Sequence, residues 1–252
     1  MEHDKSKQET ATILLTVNAQ SYGLSVVNLA VDMAVSLQSN LHGLFIEDED
    51  LVSMAEFPLT REISFPSGRE RPTTSQSMQR SLKVVGDKFK RSLAEAATKS
   101  RIKWSYDYVQ GNNRETGLDY QHSNTITIIG QAGNLPPQIF RARRPHKILI
   151  LDDRSPQFSQ ALHVIMTRLE NEAVEFVIAR NPEHTSRPSN TGEKNLVHRF
   201  KNATLTEFDY SQLQNSDRST DEFDYVIASR KELTKSLRNM ITRLQCSLIL
   251  SS

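Results

Sequence analysis

The chain has 252 residues, with 31 Lys and Arg against 30 Asp and Glu, so its formal net charge of +1 does not attract nucleic acid or an anionic membrane surface. This length suits one large α/β domain or two small ones. The single cysteine, Cys246, excludes an internal disulfide, fits a reducing compartment and is expected to be buried. Because the charged N-terminus lacks a signal-peptide core and no run approaches the ~20 apolar residues of a membrane span, we expect a cytoplasmic protein.

The first part of the chain predicts a strand, a helix and a second strand. The runs ILLTV at 13–17 and LHGLFI at 41–46 are typical of strands buried on both faces of a parallel sheet. Between them, at 22–38, apolar residues recur every three or four positions, which predicts a helix with one apolar face. Two strands joined in this way favour parallel pairing with a right-handed crossover.

A long excursion follows the second predicted strand. The acidic run 47–50 leads into LVSMAEFPLTREISF and then into a segment rich in Pro, Ser and Thr at 66–77. We predict a solvated loop with a short helix that Leu51, Met54 and Phe57 hold against the core. A lid over a ligand is the alternative, because loops of this length are often functional.

Further elements complete the first half. An apolar stripe predicts a helix of about six turns at 77–99. In KWSYDYVQ the aromatic residues alternate with polar ones, which predicts a half-buried strand; a stacking surface for nucleic acid is the alternative, but it lacks interleaved basic residues. A short helix is predicted within 111–123 and a strand at 125–129.

The segment 125–153 joins the two halves of the chain, and it reads TITIIGQAGNLPPQIFRARRPHKILILDD. Pro136 and Pro137 prevent a regular helix from running through it, although one helical turn is predicted at 139–144. The densest basic cluster of the chain lies here and is either a contact for phosphate or an acidic partner, or a solvated linker. Its members are Arg141, Arg143, Arg144, His146 and Lys147.

The element order then starts again, which indicates an internal repeat. A strand at 147–151, a helix at 156–171 and a strand at 174–179 repeat the opening pattern at an offset of about 133 to 135 residues. The apolar face predicted for this helix carries Phe158, Ala161, Leu162, Ile165, Met166 and Leu169. After a polar stretch at 180–202, with one short helix around Leu196, Val197 and Phe200, the sequence predicts strands at 203–208, 224–229 and 247–250. A helix that carries Leu233, Leu237, Met240, Ile241 and Leu244 precedes the last strand.

We therefore predict two domains, at 1–146 and 147–252, each an open parallel sheet flanked by helices. The first domain supplies no fifth strand of its own before residue 147. The strand at 147–151 must therefore close the first sheet, open the second, or serve both.

Several segments resemble the universal stress protein family in its tandem form, with a reduced second half. They are the opening ILLTVNAQSYGLSVVNLAVDMA, the run HGLFIEDEDL and the strand-then-glycine segment TITIIGQAG. The resemblance covers nearly the whole chain in element order. It implies Rossmann-like (adenine nucleotide alpha hydrolase-like) parallel sheets, and many members of the family bind ATP.

The family signature after the fourth strand is Gly, two residues, Gly, nine residues, then Gly and Ser or Thr. Glycines at these places let backbone N–H groups approach phosphates without an intervening Cβ. Gly130 and Gly133 match the first part of this signature, but Arg143 and Arg144 stand where the last glycine and the hydroxyl are expected. Asn18 replaces the usual Asp after the first strand. The corresponding segment of the second half, ASRKEL, has no glycine.

Two functional hypotheses follow. The first is a non-enzymatic, stress-related regulatory or scaffold protein without a cofactor, in which the two halves pair within one chain and a further protein partner binds. The second is a protein that binds ATP, another adenine nucleotide or another small molecule in the first half, where the arginines replace the lost glycine and hydroxyl. Its candidate pocket residues are Asn18, Gly130, Gly133, Asn134, Arg141 and Arg143.

Other chemistry is less well supported by the sequence. Asp152 and Asp153 follow a strand, as in the magnesium site of receiver domains, but the later strand DYVIAS ends in Ser229 rather than a carboxylate, so capping of the next helix is the preferred interpretation. The histidines lack metal-ligand spacing, and no GxSxG or Walker motif occurs. We therefore predict neither catalytic nor metal-binding residues, and neither a nucleic-acid nor a membrane partner.

Overall fold

A computed structural model describes residues 11–58, 60–63, 67–120, 124–130, 146–151, 156–169, 173–180, 203–209, 223–230, 233, 235, 238, 239 and 246–251. Five helices lie in these ranges: α1 (Leu24–Ser36), α2 (Glu49–Met54), α3 (Ser75–Lys99), α4 (Asn113–Asp119) and α5 (Pro156–Arg168). The strands of the first half are β1 (Thr12–Val17), β2 (Asn40–Asp48), β3 (Arg61–Ile63), β4 (Glu70–Pro72), β5 (Trp104–Gly111) and β6 (Thr125–Ile129). Those of the second half are β7 (His146–Leu151), β8 (Val174–Arg180), β9 (Ala203–Asp209), β10 (Tyr225–Ser229) and β11 (Ser247–Ser251).

Nine strands form one sheet in the order β5-β2-β1-β6-β11-β10-β7-β8-β9. Neighbouring strands run parallel except at the junction of β6 with β11, which is antiparallel. The predicted α/β class with mainly parallel strands is therefore confirmed, and the strands that we assigned to two sheets lie side by side in one. β7 lies between β10 and β8, so it does not border β6; β11 occupies that place instead.

Helices cover both faces of the sheet. Buried residues of α1, α3 and α5 form one core with the inward residues of the strands, and α1 contacts both of the other helices. On the opposite face, α4 places Leu118 against β6 and the strands of the second half. Cys246 is fully buried directly before β11, as predicted.

The predicted helices and strands of the first half are confirmed, with boundaries that move by a few residues. α3 begins before the predicted position because Thr74 and Ser77 form a capping box: the Thr74 hydroxyl accepts from the Ser77 N–H at 3.1 Å, and the Thr74 N–H donates to the Ser77 hydroxyl at 3.0 Å. In α5, the predicted apolar face is buried at Ala161, Leu162, Ile165, Met166 and Leu169. The side chain of Phe158 is not among those described.

Some predicted elements fall outside the described residues. They are the helical turn at 139–144, the short helix around Leu196 to Phe200 and most of the helix before β11, of which residues 235, 238 and 239 are helical. Within the described ranges, no helix combines the length and apolar character that crossing a membrane requires.

The excursion after β2 corrects one prediction. A short helix, α2, is present as expected, but Met54 and Phe57 are 55% and 66% exposed, so these two side chains do not hold it against the core. Ala55 is buried in their place. A six-residue helix makes fewer than two turns and therefore turns few side chains inward. Hydrogen bonds stabilise the segment after α2, and one of them runs from the Thr60 hydroxyl to the Met54 carbonyl oxygen at 2.8 Å.

α3 packs closely on β2 at Gly43. A Cβ placed on Gly43 would lie 2.4 Å from Leu93 Cδ2 and 3.2 Å from Phe89 Cζ, and both of those side chains are fully buried. Packed interiors leave little room for such displacement. Glycine at this position therefore sets the distance between the helix and the sheet.

We expect Gly43→Ala to lower the free energy of unfolding by about 1–3 kcal/mol, because the added methyl group must displace Leu93 and Phe89. Urea denaturation monitored by circular dichroism measures this change. Gly23→Ala is the matched control: its nearest neighbour would be Ser25 Oγ at 3.8 Å, so its effect should stay within about 0.5 kcal/mol. Equal stability of the two variants would contradict the packing argument.

The aromatic residues of β5 protect this edge of the sheet, and the predicted half-buried strand is confirmed. Tyr108 stacks on Phe45 with ring centroids 5.3 Å apart, and Tyr106 lies 5.9 Å from Phe89. The ammonium group of Lys83 lies 5.0 Å from the Tyr108 ring centroid. Burial, together with the charge of Asp87, raises the pKa of Tyr106 to about 12.

Raised tyrosine pKa values predict sensitivity to alkali. The folded state favours the neutral phenol of Tyr106. The contribution of this phenol to the free energy of unfolding is therefore fully present below the ordinary tyrosine pKa of about 10, and it is lost as the pH rises through about 12. We expect the free energy of unfolding to fall in this pH window. Tyr106→Phe should reduce the fall. In the absorbance of tyrosinate at 295 nm, the variant should show one tyrosine fewer than the parent protein that titrates above the ordinary pKa. A variant with an unchanged alkaline profile would refute the assignment.

Candidate ligand site at the carboxyl edge

The strand order defines where a ligand site is expected in the first half. β1 is followed by α1 and β2 on one side, whereas β6 lies on its other side after α4, which covers the opposite face. The gap between the carboxyl ends of β1 and β6 is therefore a topological switch point, where open α/β sheets bind ligands. Asn18 follows β1 and Gly130 follows β6, so the structure brings these two predicted residues to that point.

Asn18 shapes the loop at this point. Its side-chain carbonyl oxygen accepts from the backbone N–H groups of Gln20 at 3.1 Å and Ser21 at 2.8 Å, and its own N–H donates to the Ser21 hydroxyl at 2.8 Å. Its side-chain nitrogen donates to Asp48 Oδ2 at 3.5 Å. This buried amide is thus engaged in an Asx turn, the local bonding that favours Asn in tight loops.

Gly130, directly after β6, packs closely against the end of β1 and the loop that follows β1. Its N–H donates to the Thr16 carbonyl at 2.9 Å. A Cβ here would lie 3.1 Å from the Ser21 carbonyl oxygen and 3.2 Å from Val17 Cγ1. The absence of a side chain therefore allows β6 to approach the loop after β1, and the N–H group that a phosphate would need is already bonded within the protein.

The remaining residues predicted for this pocket fall outside the described part of the chain. They are Gly133, Asn134, Arg141 and Arg143. The acidic pair Asp152 and Asp153, which resembles a receiver site, also falls outside it.

An acidic depression of about 750 Å³ lies next to the switch point. It is bordered by the start of α2, the end of β5 and the outer side of α4. Its polar neutral lining consists of Asn112, Thr116 and Tyr120, together with Gly111. Its carboxylates are Asp48, Glu49, Asp50, Glu115 and Asp119.

Helix caps explain part of this acidic lining. Asp48 accepts from the Asp50 N–H at 3.0 Å and so caps α2, while the Asn112 side chain accepts from the Glu115 N–H at 3.3 Å at the start of α4. Carboxylates are favourable at helix N-termini. We missed this depression in the sequence because the acidic run at 47–50 indicates only a cap and a solvated loop, and nothing local places α4 beside it.

The charge of the depression determines what it favours. Five of its lining residues are acidic, and none of the described lining residues is basic. The guanidinium group of Arg238, from the second half, pairs with Asp119 at its margin. A concave surface of one sign of charge repels ions of the same sign, so the described edge disfavours a triphosphate.

A further carboxylate, that of Glu47, is buried on the face of β2 opposite to Asp48. It accepts hydrogen bonds from the Tyr108 hydroxyl and from Gln110 Nε2, the latter at 3.0 Å. Burial raises the pKa of Tyr108, and the hydrogen bond to Glu47 raises it further. Among the described residues, no group of three or more His, Cys, Asp or Glu is arranged to hold a metal ion.

Comparison with known proteins finds similar solved structures. A universal stress protein from Archaeoglobus fulgidus DSM 4304 superimposes with a TM-score of 0.42 at 9% identity, covering 96% of both chains. A functionally unknown protein from Pseudomonas aeruginosa PAO1 gives 0.39 at 11% identity, covering 96% of this chain and 92% of that one. The cytoplasmic domain of a prokaryotic cation chloride cotransporter gives 0.38 at 9% identity, covering 96% and 95%.

No protein-family model and no curated protein matches the sequence. The first of the similar structures bears the name of the family that the sequence motifs resemble. At these identities and TM-scores the similarities assign no role to any residue of the site.

The contact between Asn18 and Asp48 predicts the effect of an aspartate at position 18. Asn18→Asp places two carboxylates about 3.5 Å apart, which should cost about 1–4 kcal/mol at pH 7. The deficit should shrink as the pH falls and the carboxylates are protonated. Thermal unfolding between pH 3 and 7 tests this, with Gln20→Glu at the exposed neighbouring position as control. A deficit that does not depend on pH would refute the repulsion.

Proposed function

We propose that this is a non-enzymatic regulatory or scaffold protein of the universal stress type, in which the second half of the chain acts as an internal partner of the first. The antiparallel pairing of β6 with β11 is the observation that carries the proposal. Its register runs from Ile129 opposite Leu248 to Ile126 opposite Ser251. A sheet edge that ends in an apolar strand invites pairing with another chain, and β11 covers that edge.

Arg230, at the end of β10, supports the same proposal. Its guanidinium group donates to the carbonyl oxygens of Leu118 and Gly117, the latter at 3.0 Å, and to the Thr127 hydroxyl at 2.7 Å. Two of these acceptors lie at the C-terminal end of α4, where a cation is favourable. Burial and the nearby Arg238 lower the pKa of Arg230, and Asp119 opposes this shift. A guanidinium group nevertheless remains charged at neutral pH.

Two ion pairs join the halves on opposite faces of the sheet. Arg238 pairs with Asp119 of α4 on one face, and Arg168 of α5 pairs with Asp32 of α1 on the other. All four side chains are partly exposed, so each pair contributes at most about 1 kcal/mol. The junction also includes the strand pairing, the bonds of Arg230 and apolar side chains of both halves that are buried in common clusters.

Removal of the Arg230 guanidinium tests the internal-partner proposal. We expect Arg230→Met to lower the free energy of unfolding by about 1–3 kcal/mol or more, because buried acceptors on α4 and β6 lose their donor. Arg238→Met, which removes only a partly exposed pair, should cost about 1 kcal/mol or less. Urea denaturation with tryptophan fluorescence measures both. Similar effects of the two variants would contradict a central role for Arg230.

A nucleotide titration separates the scaffold from a nucleotide binder. We expect isothermal calorimetry with ATP and AMP at millimolar concentration to give no saturable heat, because Asn18 and the Gly130 N–H are bonded within the protein and the adjoining depression is acidic. Saturable binding of ATP that Gly130→Arg abolishes would overturn the scaffold proposal. Gly23→Ala, far from close contacts, is the control for general damage.

The stress-related role and the cytoplasmic location belong to the same proposal. A lone, buried cysteine supports a reducing compartment. An increase in abundance under a growth stress and recovery in the cytoplasmic fraction are the measurements that bear on them.

A further inference from the structure

A serine, a histidine and an aspartate lie together on the face of the sheet that α3 does not cover. His42 of β2 stands opposite Ser105 of β5 in the parallel register, and Asp107 is two residues further along β5. The Ser105 hydroxyl oxygen lies 2.7 Å from His42 Nδ1, and Asp107 Oδ2 lies 3.5 Å from His42 Nε2. These contacts bring together the three side-chain types that activate a nucleophilic hydroxyl.

We propose that Ser105 is an acyl-acceptor site, with His42 as its general base and Asp107 as the residue that orients the base. This role goes beyond that of a scaffold. In this role the chain is covalently modified by an activated acyl donor, such as an acyl phosphate, and no catalytic turnover is required.

The charge of Asp107 acts on the tautomer of His42. Asp107 Oδ2 lies 3.5 Å from Nε2, which is longer than a direct hydrogen bond, so the carboxylate acts through its charge: it favours the proton on Nε2 and leaves Nδ1 to accept from the Ser105 hydroxyl. Tyr120 stacks on the imidazole with ring centroids 6.0 Å apart and an interplanar angle of 20°, which limits rotation of the ring. The base is therefore oriented from both its edge and its face.

The serine and the aspartate of the cluster are exposed to solvent, whereas the histidine is largely covered. The His42 side chain is 13% exposed, whereas Asp107 is 65% exposed and Ser105 is also exposed. The hydroxyl can thus meet a donor from solution, while Tyr120 shields its base. β5 is the edge strand of the sheet, so no neighbouring strand of the described chain covers the hydroxyl from that side.

The reaction balances without a redox partner. The Ser105 oxygen attacks the carbonyl carbon of the donor, its proton passes to His42 Nδ1, and the bond from that carbon to the leaving oxygen breaks. With an acyl phosphate, the products are the serine ester and inorganic phosphate. With p-nitrophenyl acetate, they are the acetyl ester and p-nitrophenolate, and the proton on His42 is released to solvent.

Labelling by p-nitrophenyl acetate tests the proposal on the full chain. We expect one equivalent of p-nitrophenol to be released in a burst, and peptide mass spectrometry to place one acetyl group on Ser105. Ser105→Ala should abolish that adduct, and His42→Gln should slow its formation about 100-fold or more. Ser81→Ala is the matched control, because Ser81 is an exposed serine whose hydroxyl bonds only to the Ser77 carbonyl among the contacts described.

A positioning role for Asp107 has its own readout. Asp107→Asn should slow the burst and move its pH profile to lower pH, because the imidazolium loses its carboxylate partner. Circular dichroism must show that each variant is folded. An acetyl group on His42 or on lysines in place of Ser105, or a Ser105→Ala variant that is labelled like the parent protein, would overturn the proposal.

Discussion

Every backbone donor and acceptor of a buried strand needs a partner, and this requirement at β6 organises the molecule. All five residues of β6 are buried. β1 satisfies one side of this strand, and β11, from the far end of the chain, satisfies the other. Because β11 is antiparallel to β6 while each half is parallel within itself, the carboxyl ends of the two sets of strands point to opposite edges of the sheet. The two halves therefore present their potential ligand edges in opposite directions.

Polar groups of the candidate site are likewise bonded within the protein. Features that the family resemblance links to nucleotide binding serve contacts within this protein: Asn18 builds a turn, and Gly130 allows that turn to meet β6. The open space lies further along the edge, where helix caps and loop residues concentrate carboxylates. Asn18 and Gly130 therefore serve contacts within the first half, and the charge of the adjoining depression disfavours a phosphate group.

α4 connects these features, because a single short helix takes part in both. Thr116 and Asp119 border the acidic depression, while the carbonyl groups of Gly117 and Leu118 accept from Arg230. Gly117 itself lies so close to the sheet that a Cβ would approach Thr16 Oγ1 to 2.9 Å. α4 therefore contacts the depression, the sheet and the second half of the chain.

The sequence by itself determined the order and type of most elements, because burial imposes a local period on each. The apolar runs of β1 and β2, the stripe of α3 and the alternation in β5 are visible within a few residues, and the fold class follows from their order. The exposed Met54 and Phe57 show the limit of that logic, since an apolar residue in a short segment need not turn inward. Only the tertiary structure decided the pairing of β6 with β11, the place of β7 and the contacts of Arg230 and His42. Arg230 and Leu118 are 112 residues apart, and His42 and Ser105 are 63 apart, so no local period encodes their meeting.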